Sequence, residues 1–192
     1  VTDYTGPVPS ATYTITDGQA TSSAMLSFSA INTPPVAEND TAAPEKNSTT
    51  TGNVLTNDSD KDHDTLSVTT FTVNNQTLNA GETATISGVG TLTIDSNGDY
   101  SFTPVTGYTG AVPSAKYTIT DGQATATATL SFNNIVNTPP SPQDDTISVQ
   151  ENTPATGNVL SNDSDKDGDT LTVTQFTIDG QTLKAGETAT LD

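Results

Sequence analysis

Four aspartates, Asp58, Asp60, Asp62 and Asp64, occupy every second position of the stretch NDSDKDHD, and Asp163, Asp165, Asp167 and Asp169 repeat them in NDSDKDGD, 105 positions further on. Carboxylates this concentrated repel one another and oppose a compact chain unless a cation sits among them. Ca2+ takes roughly six to eight hard oxygen ligands, and a loop of alternating Asp supplies several from few residues. The alternative is a solvated acidic surface that only confers solubility. A generic charge run has neither this alternation nor this position directly before a strand, so calcium is the expected ligand.

Residues Asp163 to Gly168 imitate the first half of an EF-hand loop, but Thr174 stands where its final Glu belongs, and a strand pattern follows in place of a helix. A calcium loop on a β scaffold fits better. His63 replaces Gly168, which predicts a backbone geometry that His tolerates better than most non-glycine residues. It is the only histidine and is absent from the second copy, which suits a filler rather than a zinc ligand or a catalytic base. Other acids are secondary candidates. Asp40 and Asp145 lie shortly after Pro-Pro pairs, while Asp17 and Asp121 lie in a turn before a strand, where metal ligation and Asx-turn capping fit equally.

These loops must be positioned by something, and the composition limits what. The chain has 192 residues, 23 acids, five basic residues that are all lysine, no cysteine and no tryptophan, for a formal net charge of -18. Nucleic acid and anionic membrane surfaces require clustered Lys and Arg, so neither is a partner. No apolar run approaches the roughly 20 residues that span a bilayer, and nothing resembles a signal peptide. Without disulfides, a small extracellular domain needs another source of stability, and bound metal is one.

The sequence repeats. Tyr4, Tyr13, Asp17 and Gly18 return as Tyr108, Tyr117, Asp121 and Gly122, a shift of 104, and NTPP at Asn32 returns at Asn137, a shift of 105. The Pro-Pro pairs mark short, stiff linkers. Residues 1–32 are then expected to be the C-terminal part of a preceding repeat, 33–137 one complete repeat, and 138–192 the N-terminal part of the following one. The partial pieces leave 17 positions of a repeat unrepresented, so the chain reads as a window on a longer tandem array.

Within the repeat the pattern has a period of two. ATATATLSF, residues 124–132, alternates apolar with Thr and Ser, and Tyr117/Ile119, Leu92/Ile94 and Tyr100/Phe102 do likewise. Asn97-Gly98 and Asp121-Gly122 are hairpin signals. Leu66 and Val68 share one face while Phe71 and Val73 have the opposite parity, a switch that a β-bulge near Thr69 and Thr70 would absorb. The fold class is all-β: tandem immunoglobulin-like antiparallel β-sandwich repeats of about 104–105 residues, with about seven strands each.

The order NTPP, ENTPATGNVLSNDSDKDGDTL, NGDYSFTP and YTITDGQATATATLSF is similar to the bacterial immunoglobulin-like and cadherin-like tandem repeats of large secreted adhesins of the repeats-in-toxin type. The resemblance spans the chain, and the segment from Gly157 to Leu171 is its most specific part. It implies a calcium-binding extender at the bacterial cell surface that holds an adhesive tip away from the cell. It places the acidic loop on Asp58–Asp64 and Asp163–Asp169 and an early Glu on Glu151, and it favours ions near the joints, at Asp40, Asp145, Asp17 and Asp121. The first copy departs from the pattern: Lys46 aligns with Glu151, and Glu45 is displaced by one.

The sequence therefore predicts a spacer, stiffened by calcium, whose partners are calcium ions and the neighbouring repeats. A glycan- or protein-binding adhesion module is the alternative, with Tyr108 and Tyr4 as aromatic platforms, although burial suits them better. A filament subunit joined by strand exchange is a further one. Catalysis is not expected, because the acids are spaced for metal and no repeated Ser, His, Asp set exists.

Overall fold

The computed structural model describes residues 8–28 and 32–190. Among them every regular element is a strand. An N-terminal hairpin is formed by β1 (Ala11–Thr16) and β2 (Thr21–Leu26). Nine strands follow: β3 (Asp40–Ala42), β4 (Thr50–Asn53), β5 (Ser67–Val73), β6 (Gln76–Asn79), β7 (Thr83–Ile86), β8 (Gly90–Ile94), β9 (Asp99–Pro104), β10 (Ala115–Thr120) and β11 (Thr125–Phe132). A last hairpin joins β12 (Gln175–Ile178) to β13 (Gln181–Lys184).

The nine central strands make two sheets, one ordered β3-β11-β10-β5-β6 and the other β4-β9-β8-β7. Period-two sequences bury one face of each, so Phe71, Val73, Ala115, Tyr117, Ile119 and Leu130 of the first sheet meet Ala84, Ile86, Leu92, Ile94 and Phe102 of the second. The rings of Phe102 and Phe132 lie 5.2 Å apart and stitch the sheets together. This is the expected sandwich with two differences. It has nine strands instead of seven, because the Thr-rich run before β8 folds as two short edge strands, β6 and β7. One pairing is also parallel: β3 runs alongside β11, with Leu130 opposite Asp40 and Phe132 opposite Ala42.

The parity switch is a bulge. In the β10·β5 ladder Thr118 pairs with Thr70 but Ile119 pairs with Val68, leaving Thr69 as the extra residue, and this returns Val68 and Phe71 to one buried face. The β5–β6 turn escapes the glycine rule. Asn74 and Asn75 both adopt positive φ, 49° and 62°, in the two-residue turn that matches strand twist.

The outer hairpins copy parts of the sandwich. Tyr13 pairs with Ala24 as Tyr117 pairs with Ala128, but Tyr13 is 51% exposed and Tyr117 is fully buried. What differs is the cover, since β5 lies against β10 and has no counterpart against β1 among the described residues.

Candidate metal centre

Loop 57–64 carries the chain from β4 in one sheet to β5 in the other, so it caps an end of the sandwich. Its shape is set by Asp60, whose Oδ1 accepts the N–H groups of Asp62 at 2.8 Å and Asp64 at 3.1 Å. His63 completes the turn at φ 61°, and Gly168 does so at 71° in the second copy. The sequence expectation of an unusual backbone at this position holds. Because a left-handed backbone costs a side-chain-bearing residue about 1 to 2 kcal/mol, His63→Gly is expected to stabilise by about 0.5 to 1 kcal/mol after the added unfolded-state freedom is subtracted. Gly168→Ala is expected to cost about 1 kcal/mol, and urea unfolding of the two variants checks both.

Folding brings three of the four alternating acids together. Ligand oxygens of Asp60, Asp62 and Asp64 lie within 4.8 Å of one another, as do those of Asp165, Asp167 and Asp169. The second loop repeats the first bond for bond, with Asp165 Oδ1 accepting the N–H groups of Asp167 at 2.9 Å and Asp169 at 3.2 Å. Each middle acid is tied to the adjoining linker. Thr33 donates its N–H to Asp62 Oδ2 at 2.5 Å, and Thr138 does the same to Asp167 Oδ2 at 2.5 Å. These threonines were not foreseen as site residues, although each follows the Asn of a repeated NTPP.

Asp58 does not join its triad. A bridge between Val36 and Ser59 turns it toward the segment before β3, where its Oδ1 accepts the Glu38 N–H at 2.8 Å. Asp163 likewise accepts the Gln143 N–H at 2.8 Å. Asp40 sits in the same region, its Oδ2 accepting the Tyr117 hydroxyl at 2.7 Å. Asp145 faces an open cleft with Ile147, Gly157 and Val159.

Among the described residues, Asp58 Oδ2 and Asp60 Oδ2 are buried without a hydrogen-bond partner. An orphaned carboxylate oxygen in a loop of acids suits a hard divalent cation, and Asp60 Oδ2 belongs to the triad that would hold one. Asp17 and Asp121 cap their turns. Asp17 Oδ1 accepts the N–H groups of Gln19 and Ala20, and Asp121 Oδ1 those of Gln123 and Ala124. Asp121 Oδ2 also accepts the Asn32 amide at 2.9 Å, which ties this turn to the linker beside the first triad. Glu45 reaches Lys166, Glu151 lies exposed in the Gln150–Thr153 turn, and Tyr4 lies outside the described residues.

Burial pushes the Asp40 and Asp58 carboxyls above their ordinary value of 3.8, against the opposing bonds from Tyr117 and Glu38. In the metal-free chain the folded state then holds these protons more tightly than the unfolded state does, so stability is gained as pH falls through the raised values. Calcium at the triads needs ionised carboxylates, and its contribution has the opposite sign. The N–H bond from Ala124, then the Asn32 amide, hold Asp121 below 3.8, and the Ala20 N–H does the same for Asp17, so their contribution is lost only at still lower pH. Between about pH 7 and about pH 4 the melting temperature is expected to rise toward acid in chelator and to fall toward acid in calcium.

The bacterial cadherin-like domain matches residues 32–135. The chain belongs to that family. The bacterial Ig domain matches residues 137–192 in turn, and together with the sandwich this establishes bacterial cadherin-like and Ig-like units in tandem. No curated protein and no solved structure matches the chain. Cadherin-like domains commonly bind Ca2+, and the chain carries one acidic cluster in each matched segment, Asp60, Asp62 and Asp64 in the first and Asp165, Asp167 and Asp169 in the second. Modules of these two kinds are typically extracellular or surface-exposed and structural rather than enzymatic. In this cadherin-like chain, no helix among the described residues is long and apolar enough to cross a membrane.

Proposed function

We propose that this chain is a calcium-stabilised spacer from a secreted or cell-surface bacterial adhesin of the repeats-in-toxin type, in which residues 33–137 form one repeat between parts of two others. The observation that carries this reading is the recurrence of one three-carboxylate arrangement, bonded in the same way to the linker threonine, in two successive units. Asp60, Asp62 and Asp64, and in turn Asp165, Asp167 and Asp169, would hold the ion, which when bound supplies positive charge that cancels their repulsion. Because each triad is fastened to the linker through Thr33 or Thr138, ordering the loop also orders the joint. A string of units becomes a rod that carries an adhesive tip away from the cell.

Sugar binding has less support. Tyr108 is half-buried against the core, and its hydroxyl donates to Ala111 O at 2.6 Å, which leaves no open aromatic platform there. Calorimetric calcium titration, run beside small-angle scattering, tests the spacer reading. The parent chain is expected to bind calcium and extend, and Asp60→Asn/Asp62→Asn/Asp64→Asn is expected to lose the first triad's share of the heat. No calcium uptake by the parent chain would sink the proposal.

A further inference from the structure

Lysine is ordinarily among the most exposed residues, yet Lys46 is only 9% exposed. Its Nζ lies 2.5 Å from Asp169 Oδ2 and 2.7 Å from Asn137 Oδ1, so the side chain spans the joint and ends on the third acid of the second triad. Its neighbours reinforce the contact. Asn47, held at φ 57° and accepting the Gly107 N–H at 2.6 Å, donates its amide to Asp167 O at 2.8 Å. On the exposed rim Glu45 Oε1 accepts Lys166 Nζ at 2.8 Å. Three consecutive residues thus grip one loop.

Lys46 also stands where the next copy has Glu151, so the sign of the charge at this position is reversed between copies. We propose that Lys46 supplies the cation of this joint from the protein itself, docking loop 163–169 without metal and lowering the calcium affinity of Asp165, Asp167 and Asp169 below that of Asp60, Asp62 and Asp64. The two triads share their internal bonds and their threonine tether, and the described residues place a lysine on the second triad and none on the first. An ammonium on Asp169 cancels part of the negative charge a divalent ion would use, and it repels that ion at close range through a poorly hydrated medium. Removing it leaves the Asp169 side chain with the Asn47 amide, 3.4 Å from its Oδ1, and no positive partner, which costs the joint its ion pair.

The docking half stands independently of the calcium reading, and only the comparison of the triads rests on it. The chain has no cysteine, so Gln76→Cys and Gln181→Cys, exposed at equivalent positions of β6 and β13, accept a pair of nitroxide labels. In chelator, the labelled chain is expected to give one narrow distance distribution, at least about twofold broader after Lys46→Gln. Asp169→Asn should broaden it from the other side of the contact. An unlabelled circular dichroism melt of each variant confirms that the sandwich is still folded. A distribution as broad in the parent as in Lys46→Gln, or as narrow in both, overturns docking. In calorimetry, Lys46→Gln is expected to tighten the weaker calcium site at least about tenfold and leave the stronger unchanged. An unchanged weaker site overturns the competition. Absence of calcium binding in every variant removes both the competition and the spacer reading, while the label distances in chelator decide docking separately.

Discussion

Saturating calcium is expected to raise the melting temperature of the chain by roughly 10 to 20 °C over its chelated form. An ion present at about 100 times its dissociation constant adds about 2.7 kcal/mol to the state that binds it. In a unit of about 100 residues each kcal/mol moves the midpoint by about 4 to 8 °C. The effect is large because little else opposes the charge: the net is -18, the chain has no disulfide, and Val, Ile and Ala make up most of the core. Scanning calorimetry in calcium and in chelator measures it. Asp60→Asn/Asp62→Asn/Asp64→Asn should reduce the response and raise the chelated midpoint, since the repulsion is removed along with the site. A shift under about 2 °C in the parent chain would mean that the triads do not hold the ion in the folded state.

Phe102→Ala is expected to cost about 3 to 5 kcal/mol. Phe102 is fully buried on β9, and its contact with Phe132 of β11 crosses from one sheet to the other, so truncation opens a cavity at the seam of the sandwich. Against a total margin of about 5 to 15 kcal/mol for an ordinary domain, and with acidic repulsion already drawing on it, the chelated variant should unfold near or below room temperature. Calcium should restore a cooperative transition by adding to the folded state alone. Urea unfolding followed by circular dichroism, with and without calcium, would show the rescue. A variant equally stable in both conditions would show that the core and the acidic loops are not coupled.

Much of this architecture was legible from residue parity and turn chemistry. The opposed faces of Val68 and Phe71 announce the Thr69 bulge, and the exchange of Gly168 for His63 announces the left-handed turn. Those signals are local, because neighbouring residues already reveal the backbone they need. Asn74-Asn75 was missed since asparagine states a preference for positive φ less loudly than glycine. The parallel seat of β3 beside β11 was missed too, as three residues leave no register to read. In the site, spacing gave the clustered acids but not the separate position of Asp58, because the bridge from Val36 to Ser59 depends on a segment about 20 residues away. Lys46 was visible only as a departure from its counterpart Glu151. Its partner Asp169 lies 123 positions further along, and no comparison of equivalent positions could pair them.

The parallel pairing of β3 with β11 also decides how the sandwich takes a load. A pull on the two flanking linkers draws β3 back toward Thr33 and β11 forward toward Asn137, so two strands that run in the same direction are made to slide past each other. The bridges at Asp40, Thr41 and Ala42, with the Asn133 N–H to Ala42 O bond at 2.9 Å, then carry the tension side by side. In a hairpin peeled from its open end the same bonds would fail one at a time. Tugging therefore meets its resistance at the first and last strands of the sandwich, before the core is asked to yield.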